Sequence, residues 1–412
     1  MKKIIRTIHL YLGLASGLVI AVVCLTGAIL VFEKEWVETI YRERYFVAKQ
    51  KEDARRTLDE IVGYVQKRFP EANINSLKIY RNADRTIEIY YTDKTGQQQI
   101  KAKYENPAGK AIDQVCPDAS IKQKEKNGGN DTRKKEKRKE VKQLFLDPYS
   151  GNIVASVNIS NSFFKQVEML HRRLLLGEVG NQVVKISVVL FVVILLTGIV
   201  LWWPKNRNLL RQRLSWKINA SWKRINHDWH VVTGFYTSIF LLVIALTGLT
   251  FAYKWLGNGI FKITGSSELR PAPPKLDTEK ILPFPYERIF RKVKESDPEA
   301  AYYQFKFPHE AGEAISVSLL QKERKNENAR DVLYFDAAGN LVGRTNFNDL
   351  NVGHKFKSIM LPIHKGNLGG LFSKVLAGIC ALAGFTFPFT GLLLWLNRLK
   401  KKRKEKFAKA RV

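Results

Sequence analysis

HLYLGLASGLVIAVVCLTG, residues 9–27, and HVVTGFYTSIFLLVIALTG, residues 230–248, each begin on a histidine and cross an apolar run. Each reaches Thr-Gly 17 residues after the histidine. A second match has its own spacing: His171 precedes Thr197-Gly198 by 26 residues, and His364 precedes Thr390-Gly391 by the same 26. Only 7 of the 412 residues are histidine, so chance does not account for two offsets that both recur. Self-similarity of this kind sets the fold before any single element does. It predicts a tandem duplication whose halves contribute matching histidines.

Four stretches are long and apolar enough to cross hydrocarbon, which takes about 20 helical residues. They run near Ile8–Phe32, Val183–Trp203, Val231–Trp255 and Leu371–Leu396. The predicted order is a first membrane helix (1–33), an outer domain (34–168), a histidine segment with the second helix (169–204) and a basic loop (205–226). The same order then repeats: a third helix (227–257), a second outer domain (258–358), a histidine segment with the fourth helix (359–397) and a basic tail (398–412). The fold class is thus an α-helical four-span bundle carrying two α+β outer domains. Lys2, Lys3 and Arg6, the loop from Lys205 to Arg224, and the tail from Arg398 to Lys406 hold the basic excess of the short connections. The positive-inside rule puts these, with both termini, in the cytoplasm and both large segments outside. Trp202, Trp203 and Trp395 would then mark the inner interface, and Trp36 and Trp255 the outer one. The first span is too long for a signal-peptide core and reads as an uncleaved anchor.

A net charge of +30 invites a nucleic-acid reading, but topology explains most of it, and no nucleic-acid partner is expected. The exception is a basic insertion at 117–142, which reads as a solvated charge run. Cys24 and Cys380 lie within spans and Cys116 stands alone, so there is no disulfide framework.

The outer segments repeat as well. Helical patterns at Thr57–Phe69 and Tyr286–Ser296 each stop at Pro-Glu-Ala and give way to alternating strand patterns. The strands are expected at Ser76–Tyr80 and Thr86–Thr92, and at Tyr302–Phe307 and Ala314–Leu319. Each segment closes on a hairpin signal, 145–154 and 334–342. Asp147 and Asp336 belong to turn chemistry there, and no residue is assigned a catalytic role.

The histidines carry the chemistry. An ionisable residue inside a span is a functional-site hypothesis by default. Gly13 and Gly17 follow His9 at i+4 and i+8, and Gly234 and Ser238 follow His230 at the same offsets. Such lanes leave room for a flat, bulky group; the competing reading is close packing of helices through small residues. Zinc wants a closed tetrahedral set of ligands, whereas two separated pairs suit the axial ligation of haem iron. His9 with His230 would form an inner pair, and His171 with His364 an outer one. His227, three residues before His230, competes as the inner ligand. Arg172 and Lys365 directly follow the outer histidines, where they are placed to meet the carboxylates of a haem. His354 lacks a repeat partner, and His309 lies in a loop that reads as exposed.

With these motifs in view, the chain resembles the PepSY-associated transmembrane family over nearly its full length. The resemblance rests on the four spans, the two outer domains and the repeated histidine and Thr-Gly pattern, including His9-Leu10-Tyr11-Leu12-Gly13 and His230-Val231-Val232-Thr233-Gly234. It implies a multi-pass protein of the bacterial inner membrane. That family includes ferric-siderophore reductases with two b-type haems, which pass electrons outward to Fe(III) chelates. His9, His230, His171 and His364 would be the axial ligands of the haem irons. No flavin or nicotinamide fingerprint is visible in the inner loop or tail, so the electron donor would be another molecule. A cleft between the two outer domains would receive the chelate. The alternative is a non-catalytic membrane module that binds a periplasmic protein or peptide; a transporter component is a third reading, disfavoured by only four unbroken spans.

Overall fold

A computed structural model describes residues 2–48, 50, 55–93, 140–217, 219–276, 285–310 and 312–409. Cys116 and all but the last three residues of the basic insertion lie outside these. The first half runs α1 (Lys2–Val31), α2 (Glu33–Ile40), α3 (Arg42–Tyr45), α4 (Leu58–Arg68), β1 (Ala72–Tyr80), β2 (Ile87–Asp93), β3 (Val141–Leu146), β4 (Ile153–Asn158), α5 (Phe163–Arg173) and α6 (Gly177–Trp202). After α7 (Arg207–Leu214) come α8 (Trp222–Asp228), a π-turn (Trp229–Thr233), α9 (Gly234–Ala252) and α10 (Lys254–Ile263). The order helix, four strands, helix, long helix then recurs as α11 (Tyr286–Ser296), β5 (Ala300–Lys306), β6 (Ile315–Gln321), β7 (Asp331–Phe335), β8 (Leu341–Thr345), α12 (Val352–His364) and α13 (Gly370–Lys409).

Four helical stretches are long and apolar enough to cross a membrane: Lys2–Val31, Gly177–Trp202, Trp222–Ala252 and Gly370–Glu405. The chain is a multi-pass membrane protein. α1 and α9 each pack against both α6 and α13, which makes a four-helix bundle. At its middle Ile20, Cys24, Phe191, Leu195, Leu241, Ala245 and Cys380 form one buried apolar cluster. Small residues allow the close approach there: a Cβ on Gly17 would stand 3.0 Å from Pro388 of α13.

The expectation of two outer domains with a cleft between them needs correcting. Each segment has the predicted helix and four antiparallel strands, but the two join in one eight-stranded sheet of order β4-β3-β2-β1-β5-β6-β7-β8. The seam is antiparallel pairing of β1 with β5, from Ser76 opposite Lys306 to Tyr80 opposite Tyr302. The physical reason is a shared core. Alternation along the strands sends Leu77, Ile79, Ile89, Tyr303, Phe305, Val317 and Phe335 to one face, where they meet Ile61 and Val65 of α4 and Ile289 and Val293 of α11 in a single cluster. Neither half could bury that face as well alone, and burying one such side chain stabilises by about 1.5–3 kcal/mol.

The two helices also cap one another. Thr57 and Glu60 form a capping box at the start of α4. Asp59 then accepts hydrogen bonds from the backbone N–H groups of Tyr286 and Glu287 at 2.9 and 3.1 Å. In return the Glu287 carboxylate accepts from the Leu58 N–H at 3.0 Å. Each N-terminus thus receives a carboxylate from the other half.

Two ties hold the sheet over one end of the bundle. Arg85, at the β1–β2 turn, donates to Glu38 of α2 at 3.1 and 3.0 Å. Asn326 and Asn328 donate to Ser358 of α12 at 2.9 and 3.0 Å.

Candidate cofactor site

The four repeated histidines converge as two facing pairs. The rings of His9 and His230 lie 6.4 Å apart between centroids, with planes at 87°. Those of His171 and His364 also lie 6.4 Å apart, with planes at 62°. His9, in the second turn of α1, and His230, in the π-turn before α9, belong to the end of the bundle far from the sheet. His171 lies in the last turn of α5 and His364 ends α12. These short helices pack on α1 and α9 at the sheet end. The outer pair therefore sits on helices. The reversal comes just after, at Leu174 and Leu175 with φ of 50° and 57° and at Gly366 with φ of 70°.

Thr-Gly proves to be the seat of each histidine. His9 Nδ1 lies 3.0 Å from Thr197 Oγ1 and 3.1 Å from the Ile194 carbonyl. His171 Nδ1 lies 3.0 Å from both Thr26 Oγ1 and the Val23 carbonyl. His364 Nδ1 repeats this with Thr247 Oγ1 at 3.3 Å and the Ile244 carbonyl at 2.9 Å. His230 Nδ1 meets Thr390 Oγ1 at 2.8 Å. The glycine beside each threonine makes room for the ring. A Cβ on Gly27, Gly198, Gly248 or Gly391 would stand 3.0–3.3 Å from the histidine Cε1, tighter than an ordinary contact.

These contacts fix the tautomer. A carbonyl only accepts, and each threonine hydroxyl already donates to its own helix: Thr26 to Val22 O, Thr197 to Val193 O, Thr247 to Val243 O and Thr390 to Phe387 O. For His9, His171 and His364 the proton is therefore on Nδ1, and Nε2 keeps its lone pair; His230, whose Nδ1 meets a hydroxyl, is compatible with the same tautomer. Among the described residues no hydrogen bond reaches those four Nε2 atoms. A hydrogen-bond acceptor on one nitrogen that leaves the other free is the usual arrangement of a metal-binding imidazole.

The spacing agrees with a metal between the rings. Two metal–nitrogen bonds of about 2 Å, plus about 1 Å from each nitrogen to its ring centre, come to about 6 Å. The planes are free to differ, since each need only contain the bond axis. Among the described residues no three His, Cys, Asp or Glu side chains gather into a closed cage, so a metal at either end would have two imidazoles as its protein donors.

Around the far pair the bundle holds a cavity of about 520 Å³, within the range of cofactor pockets. Gly13, Gly17, Gly234 and Ser238 line it, and a Cβ on Gly13 or Gly234 would meet nothing within 4 Å. Of the two readings of the small-residue lanes, Gly13 and Gly234 thus follow the open one, while Gly17 serves helix packing against Pro388 as well. Trp202, at the end of α6, lines the cavity and stacks on Phe235 with centroids 3.4 Å apart.

The remaining sequence candidates separate clearly. His227 lines the cavity too, but its Nδ1 lies 3.2 Å from Asp228 Oδ1, and it is His230 that faces His9. The π-turn Trp229–Thr233, of a kind frequent at functional sites, carries His230 but not His227. Sequence reasoning missed that turn and the buried Asp228, which pairs with Arg224 at 2.9 Å. Arg172 already pairs with Glu168 at 2.8 Å, so its guanidinium is committed in part to its own helix. Lys365 caps the end of α12. His354 is buried against Phe261, with Nε2 3.3 Å from the Leu269 carbonyl, and its role is packing. His309 is exposed.

No curated protein matches this chain. The family model for the PepSY-associated TM region matches residues 6–398, nearly the whole length, and the chain belongs to that family.

Proposed function

We propose that the chain is a di-haem electron-transfer protein of the bacterial inner membrane that carries electrons outward to reduce Fe(III) held in siderophores or related chelates. The observation that carries the reading is the pair of facing imidazole couples, one at each end of the bundle, each ring held so that Nε2 is free. The residues fit haem: His9 with His230 and His171 with His364 would each offer two imidazole donors, and the far-end pair lies beside a cavity of suitable volume with glycines where a flat macrocycle needs space. Bound there, each haem would supply a one-electron Fe(III)/Fe(II) couple. The chain's own part is to hold and separate the two sites. Thr26, which seats His171, lies 17 residues along α1 from His9, about 25 Å of helix at about 1.5 Å per residue. The apolar cluster between them excludes water.

The repeated element order supports a tandem duplication, and the basic termini and loop support a cytoplasmic far end with the sheet outside. The sheet would then stand over the exit site. Hard oxygen chelators favour Fe(III), so reduction loosens the iron. The electron donor would be a separate cytoplasmic or membrane component.

The purified full-length chain should be red, with two haems per polypeptide by pyridine haemochrome and a sharpened α-band on dithionite. Reduction of an added ferric chelate should follow. A colourless protein, isolated from haem-replete cells, would overturn the reading and leave a membrane module whose outer sheet binds a protein or peptide.

A further inference from the structure

The cavity beside His9 and His230 is lined at its mouth by Lys2, Arg6, Lys205, Arg213 and Arg398, and no Asp or Glu is among its lining residues. Two of these cations are already engaged. Lys2 donates to the Trp203 carbonyl at 3.0 Å. Arg213 donates to the carbonyls of Leu201 and Trp202. Both thereby satisfy the free carbonyls at the end of α6. Arg6 and Arg398 have no ion-pair or hydrogen-bond partner among the described residues. Lys205 has none either, but it lies beyond the helix end.

The two arginines are placed by helical spacing on the walls that carry the site. Arg6 is three residues before His9, on the same face of α1. Arg398 is seven residues, two turns, after Gly391, the glycine that seats His230. The α1 wall thus offers His9 and the α13 wall the seat of His230, each with a guanidinium toward the mouth of the cavity. An apolar interior with two unpaired guanidiniums at one end matches a flat apolar ligand bearing carboxylates on one edge. Guanidinium binds carboxylate by paired, charge-assisted hydrogen bonds.

Resting on the haem reading above, we propose that Arg6 and Arg398 are the carboxylate clamp of the far-end site, gripping the two propionates and so fixing the direction in which that haem enters. The sheet-side site is built otherwise, with Arg172 drawn off by Glu168.

The test removes the carboxylates from the ligand and the charge from the protein. Full-length chain stripped of haem is reconstituted with haem or with haem dimethyl ester, for wild type and for Arg6→Gln/Arg398→Gln. Wild type should favour free-acid haem at the far-end site by about tenfold or more, and the double variant should take both alike. The double variant should also show a lower midpoint potential at that site alone, because two positive charges no longer favour the reduced form. The unchanged spectrum of the sheet-side haem shows that the chain has folded. Arg6→Lys/Arg398→Lys should recover part of the preference. The proposal is overturned if the double variant keeps the wild-type preference, or if wild type has none while binding two haems; the cations would then serve membrane orientation alone. If wild type binds no haem, the proposed function itself fails.

Discussion

At His230 Nδ1 has one hydrogen-bond partner among the described residues, Thr390 Oγ1 at 2.8 Å, whereas the other three rings each have a threonine and a backbone carbonyl. This asymmetry separates two otherwise equivalent threonines. Thr390→Val should loosen His230 and lower haem affinity at the far-end site by about 10–100-fold, the usual cost of losing the hydrogen bond that orients a ligating imidazole. Thr197→Val should cost less, because the Ile194 carbonyl still holds His9. Haem content and dissociation rate of the two variants decide it, and equal losses would refute the ranking. The glycines argue the same way. At Gly248 a Cβ would come within 3.0 Å of His364 Cε1. Gly248→Ala should therefore displace that ring and deplete the sheet-side haem while the far-end spectrum stays intact.

Among the elements, the spans, their order and the strand patterns were legible because hydrophobic period is a local signal. The α11 bounds, Tyr286–Ser296, match the sequence reading, and the strands fall within a few residues of expectation. What joins the elements was not legible. Edge pairing of β1 with β5 and the exchange of Asp59 and Glu287 between helix starts involve residues more than 220 positions apart, for which a single sequence holds no local trace. That exchange makes a pH prediction. Burial alone would raise the Glu287 carboxyl, but the Leu58 N–H and the Arg55 guanidinium outweigh it and hold it below its ordinary value of 4.5. A group depressed in the folded state stabilises fully above its unfolded pKa, and that contribution is lost as pH falls through the folded value. Glu287→Gln should therefore lower the stability of the sheet region by about 1–2 kcal/mol at neutral pH, as loss of a cap does. The difference from wild type should shrink in acid, below the ordinary glutamate value. Hydrogen exchange of the α4 and α11 amides at two pH values reads this directly; a constant difference would rule the linkage out.

In the whole molecule the anchors and the pairs obey different rules. Every anchor is internal to a half: His9 with Thr197 and His171 with Thr26 in the first, His230 with Thr390 and His364 with Thr247 in the second. Every facing pair instead crosses between halves, His9 with His230 and His171 with His364. The fixed offsets of 17 and 26 residues exposed the anchors without revealing them, because the threonine reaches its histidine on a neighbouring helix. If these pairs hold haem as proposed, each site would be all-or-none, since it would need one imidazole from each half. Groups that act as a unit are not additive. His171→Ala, His364→Ala and the double variant should accordingly lose the same sheet-side haem, and each should stop reduction of added Fe(III) chelate. The far-end haem should still be reduced from the opposite side of the membrane. Reduction at the wild-type rate in either single variant would remove this pair from the electron path. Activity in the singles that is lost only in the double would mean that either imidazole suffices, contrary to a site shared between the halves.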